Sequence, residues 1–131
     1  MAKGNKYGTH RVIEPKVTLP QPAFKISNDT TIFDNEILID VDYLNIESAN
    51  FTQLKEEARG DIKKIKAKIM EIVQERGKMQ NPVTGSGGML IGKVEKIGPD
   101  LTEKIDLQIG DKIATLVSLS LTPLKIEKIL D

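Results

Sequence analysis

The apolar positions along the chain change their period from segment to segment, and each period predicts an element. Between Glu36 and Leu44, Ile37, Ile39 and Val41 alternate with Leu38, Asp40 and Asp42. A period of two reads as a strand with one buried face. Over Asp61–Arg76 the spacing becomes helical, with Ile62, Ile65, Ile69, Ile72 and Val73 on one side and lysines and glutamates on the other. Asp61 is placed to cap the first turn and Gly77 to end the last, so the predicted amphipathic helix spans about 61–76. Its charged face reads as a solvated surface. Alternation returns in Gly92–Gly98, and Gly110-Asp111 opens a second apolar run, Lys112–Leu119.

The N-terminal third is less regular. Residues 1–9 are polar and glycine-containing, and read as a loosely held arm. Arg11–Val17 has the character of a short strand, and Leu19-Pro20-Gln21-Pro22 forces an extended path. Asn28-Asp29 and Asp34-Asn35 are turn chemistry. Strands punctuated by Gly and Pro around one inserted helix predict a mainly β fold with α, a small barrel built as one domain over residues 1–131.

Composition narrows the function classes. A chain of 131 residues is long enough for one domain with a real core. Nineteen basic and nineteen acidic side chains cancel, which favours neither nucleic acid nor an anionic membrane as a partner. The chain has no cysteine, so disulfides, thiolate zinc sites and a cysteine nucleophile are excluded, in keeping with a reducing compartment. The apolar stretch Ile113–Leu121 is too short to span a bilayer, and MAKGNKYGTH has no apolar signal core. The expectation is a soluble cytoplasmic domain.

Several near-motifs fail on chemistry. Gly87 and Gly92-Lys93 have the spacing of a phosphate-binding loop, but Val94 has no hydroxyl for magnesium and the segment alternates as a strand. Gly85-Ser86-Gly87 begins like a dinucleotide fingerprint, yet Leu90 stands at the third glycine position. Thr84 occupies the first glycine position of a nucleophile elbow around Ser86. His10, the sole histidine, lacks partners for a metal site and reads as structural. The cluster Gly85, Gly87, Gly88 fits either a loop that needs positive φ or a close approach to a ligand.

The run Asn81–Asp111 resembles the barrel hairpin of medium-chain dehydrogenases/reductases, which reads roughly G-x-V-x-x-V-G, spacer, G-D-x-V. Upstream, Asn35–Val41 resembles that superfamily's D-E-V-L-V-K-V strand. The resemblance implies a GroES-like β-barrel, normally followed by a Rossmann domain. This chain departs from the zinc-dependent members: Glu47 stands where the first zinc-binding cysteine would be, Ala49 at the relay hydroxyl, and Gly88 and Met89 at the histidine and glutamate of G-H-E-x-x-G. No zinc is therefore expected, and the Lewis-acid route is closed.

A more specific likeness lies in Tyr7–Pro15, Asn81–Gly92 and Ala114–Leu124, which resemble the L-erythro-3,5-diaminohexanoate dehydrogenase family. That family oxidatively deaminates the 3-amino group of its diamino acid substrate in anaerobic lysine fermentation, passing hydride to NAD or NADP and releasing ammonia and 5-amino-3-oxohexanoate. The resemblance implies a zinc-independent oxidoreductase, homo-oligomeric at full length. These 131 residues would supply its substrate domain and be inactive alone, with the Rossmann domain expected downstream.

An amine substrate needs a counter-charge and a proton acceptor, and Glu47, at the former zinc-ligand position, is assigned that catalytic role. Ser48, Asn50, Thr52 and Ser86 are assigned to substrate binding. Two alternatives stay open: a stand-alone GroES-like binding or scaffold barrel without chemistry, and a zinc-free quinone-reductase-like enzyme. The nicotinamide choice is not readable from these residues.

Overall fold

The computed structural model describes residues 2–130. A 3-10 turn over Thr9–Arg11 leads into β1 (Val12–Glu14), which pairs antiparallel with β2 (Lys25–Ile26). A second sheet has the order β3-β4-β5, from β3 (Ile37–Ile46), β4 (Gly88–Ile97) and β5 (Lys112–Ala114), all antiparallel. Between β3 and β4 the chain forms α1 (Ser48–Glu57) and α2 (Ile62–Arg76). The expected mixture of β with α holds. The described strands lie in these two sheets, without one sheet closing on itself.

β3 carries the register lesson of the fold. Its apolar phase runs over Ile37, Ile39 and Val41, then jumps to Leu44 and Ile46. The ladder with β4 shifts between Val41 and Tyr43, where an irregularity resets which side chains face inward. Ile39, Val41, Leu44 and Ile46 thereby all pack against one core. On β4 the alternation is strict from Gly88 to Glu95, with Leu90 and Val94 buried and Met89, Ile91 and Lys93 outward.

The core forms where α2 lies against this sheet. Ile65, Ile69, Ile72 and Val73 pack with Leu54 of α1, Met79, Leu90, Leu119 and Leu124. The caps are those predicted: the Asp61 side chain accepts from the Lys63 N–H, and Gly77 takes φ 72°. Ile62, placed on the apolar face from spacing, is instead exposed in the first turn.

Two further expectations change. The described part of residues 1–9 is tied down rather than loose: Asp34 N–H donates to Ala2 O at 2.9 Å and Gly4 N–H to Asp34 Oδ1 at 2.8 Å. Among the three glycines of the 85–88 loop, only Gly85 takes positive φ. Gly88 is required for close approach, because a Cβ there would collide with the Asn45 carbonyl oxygen across the ladder.

Candidate functional site

The end of β3, the first turn of α1, the start of β4 and the loop after β5 enclose an open cleft of about 630 Å³. Its polar groups come from Asn45, Glu47, Ser48 and Ser118, and its apolar walls from Ile46, Phe51, Met89 and Leu116, with Gly88 at the base. Phe51, Met89 and Leu116 are all solvent-exposed, Leu116 at 93%. Exposed apolar side chains beside a few polar groups are the makings of a site that takes an amphipathic partner.

Glu47 is placed by backbone. Its N–H donates to Gly87 O at 2.9 Å, and its carbonyl accepts the Phe51 N–H at 2.9 Å to open α1. The side chain does not fold back to cap the helix. Among the described residues, no cation or hydrogen-bond donor engages the Glu47 carboxylate. An exposed, uncompensated carboxylate at the mouth of an apolar-walled cleft is suited to an ammonium.

The other assigned residues separate. Ser48 lines the cleft beside Glu47. Asn50 is fully buried: its amide donates to Gly87 O at 3.0 Å, and its Oδ1 accepts from Asn81 at 2.9 Å. It fastens α1 to the glycine loop. Thr52 is exposed on α1 and stands outside the cleft wall. The Ser86 hydroxyl pairs with Thr84 Oγ1, also outside the cleft.

Beneath the glycine loop lies a polar core that sequence reasoning missed. Asn81 is fully buried and donates to Gln53 Oε1 at 2.8 Å as well as to Asn50, while accepting from the Val83 and Thr84 N–H groups. Arg76, the last residue of α2, and Lys78, just beyond it, reach into the interior. The Arg76 guanidinium donates to Phe24 O at 2.7 Å and Gln80 O at 2.8 Å, and it stacks on the Phe24 ring. Lys78, with no exposed surface, donates to Pro20 O at 2.7 Å and Gln21 O at 3.2 Å. Burial, and secondarily the nearby Arg76 charge, push the Lys78 ammonium down to about 8. The signal was the proline-rich segment: prolines have no N–H, so their stretch presents carbonyls that cations can use.

His10 is structural, as read from its isolation. Its Nδ1 accepts the Asn5 N–H at 2.9 Å, so Nε2 carries the proton and donates to Glu36 Oε2 at 2.9 Å. Arg11 completes the pair with two bonds to the same carboxylate, from Nε at 2.8 Å and Nη2 at 2.6 Å.

The family model for the L-erythro-3,5-diaminohexanoate dehydrogenase N-terminal domain matches residues 10–131. The chain belongs to that family. It is 76% identical over 129 residues to the L-erythro-3,5-diaminohexanoate dehydrogenase of Acetoanaerobium sticklandii, covering 98% of this chain. It is 74% identical over 131 residues to the dehydrogenase of the same name from Fusobacterium nucleatum subsp. nucleatum, covering the whole chain. In each case the chain spans 38% of the relative's length. The 10–131 match takes in every element of the chain from β1 onward, including all sides of the cleft.

Proposed function

We propose that the chain is the substrate-facing N-terminal domain of an NAD- or NADP-dependent oxidoreductase that deaminates 3,5-diaminohexanoate to 5-amino-3-oxohexanoate in lysine fermentation. The observation that carries this reading is the unpaired Glu47 carboxylate in an apolar-walled cleft. The names of the relatives supply the substrate. Placement within the medium-chain dehydrogenases, with a GroES-like barrel, is supported by one juxtaposition: Glu47 and Gly88, the positions equated with the zinc cysteine and histidine, line the same cleft.

The described residues offer no cradle for a dinucleotide. The glycine loop runs into a strand rather than a helix, and Gly87 and Gly88 are packed against this chain's own backbone. The nicotinamide, which supplies the hydride acceptor, accordingly belongs to the downstream Rossmann domain of the proposed enzyme. This chain's residues bind and orient. The Glu47 carboxylate pairs with the 3-ammonium and takes one proton from it, so that the nitrogen lone pair can assist oxidation at C3. Ser48 adds a hydrogen bond, and Phe51, Met89 and Leu116 shield the carbon chain from water. No step calls on zinc.

The test is a nicotinamide absorbance assay of the full-length protein with the diamine and with a quinone, alongside the isolated chain. Reduction of NAD or NADP by the full-length protein with the diamine only, and none by the isolated chain, is the expected result. Absence of diamine turnover would overturn the reading.

A further inference from the structure

A chain of hydrogen bonds runs out of the interior into the cleft. Ser120, which is buried, donates from Oγ to Gln21 Oε1 at 2.6 Å. A serine hydroxyl has one proton, so Ser120 has none left for its neighbour. The 2.8 Å contact between Ser118 Oγ and Ser120 Oγ must then be donated by Ser118. Ser118 Oγ also accepts the Ser120 N–H at 3.1 Å. One donor and one lone pair are thus committed, and what remains to the hydroxyl of Ser118, a residue that lines the cleft, is a single acceptor lone pair.

We infer that Ser118 is a specificity-determining residue: a hydroxyl held as acceptor only, which with Glu47 forms a two-acceptor receptor for a substrate ammonium. The inference rests on the diamine reading above and deepens it. A hydroxyl free to rotate would accept from an ammonium or donate to a hydroxyl or carbonyl equally well. One whose proton is fixed inward accepts a donor and repels an acceptor. The cleft therefore selects for the amine over the corresponding ketone, whose oxygen can only accept. Gln21 is a positioning residue, acting through Ser120 without reaching the cleft.

The test uses the full-length enzyme and three variants. Ser118→Ala should lower kcat/KM for the diamine about 10-fold, the loss of one hydrogen bond to a charged group, with KM for the nicotinamide unchanged. Gln21→Ala, at an exposed position, frees the Ser120 proton and lets Ser118 turn its own outward. Its kcat/KM should fall several-fold by way of KM. Gln21→Glu keeps an acceptor for Ser120 and should restore wild-type values, which loss of packing alone would not produce.

Wild-type turnover with Ser118→Ala within twofold of it would overturn the inference while leaving the diamine reading intact. If Ser118→Ala does not fold, equal kinetics for Gln21→Ala and wild type would overturn it. A wild-type enzyme that does not oxidise the diamine would overturn both.

Discussion

Glu36→Gln tests the joint between the N-terminal segment and the main sheet. The Glu36 carboxylate accepts from Arg11 twice, from His10, and from the Phe33 N–H at 2.8 Å. Burial alone would raise its pKa, but Arg11, the Phe33 amide and His10 outweigh that and hold it at about 2, against an ordinary 4.5. That difference corresponds to about 3 kcal/mol favouring the folded state at neutral pH. Because the folded pKa is depressed, the contribution is fully present above about pH 4.5 and is lost as pH falls towards 2. The variant also leaves the Arg11 guanidinium, 5% exposed, without its counter-charge. Urea unfolding from pH 7 to pH 2 is the assay. Wild type should exceed Glu36→Gln by about 3 kcal/mol at pH 7, with the two curves converging at low pH. Parallel curves across the acid range would refute this reasoning.

Two further substitutions probe other interior contacts. Lys78 titrates near 8 in the folded state against 10.5 in the unfolded chain, so the unfolded state binds more protons between those values and stability should rise with pH across that window. Lys78→Met should abolish that alkaline rise in urea melts, and a persisting rise would show that another group causes it. Gly88→Ala drives a methyl into the Asn45 carbonyl and should destabilise by about 2 kcal/mol or more. A thermal melt within a degree or two of wild type would show that the ladder yields there.

What the sequence revealed follows from which contacts are local. α2 was legible because its apolar stripe, its Asp61 cap and its Gly77 terminator all lie within one continuous segment. β3 was legible up to Leu44, but the shift between Val41 and Tyr43 is set by pairing with β4, which no local period reports. α1 was not visible: of its ten residues only Asn50 and Leu54 are buried, so no apolar stripe marks it. β5 is shorter than its apolar run because the chain leaves the ladder after Ala114, exposing Leu116 and Val117.

At the candidate site, the departures from a zinc-enzyme pattern led to Glu47 and Ser48, which the structure brings into one cleft. Asn50, chosen for its nearness to Glu47 in sequence, and Ser86, chosen because its glycine loop was expected to face the cleft from the other side, both bond to other partners. Ser118, 71 positions beyond Glu47, joins the cleft only through tertiary packing.

The most direct test of the proposed chemistry is the steady-state kinetics of Glu47→Gln in the full-length enzyme, measured with 3,5-diaminohexanoate beside a thermal melt. The exposed Glu47 carboxylate has no partner among the described residues, so the melt should not move. Loss of a positioned proton acceptor should lower kcat/KM by about 100-fold or more. Kinetics within threefold of wild type, with the melt equally unchanged, would contradict the assignment of Glu47 to the reaction.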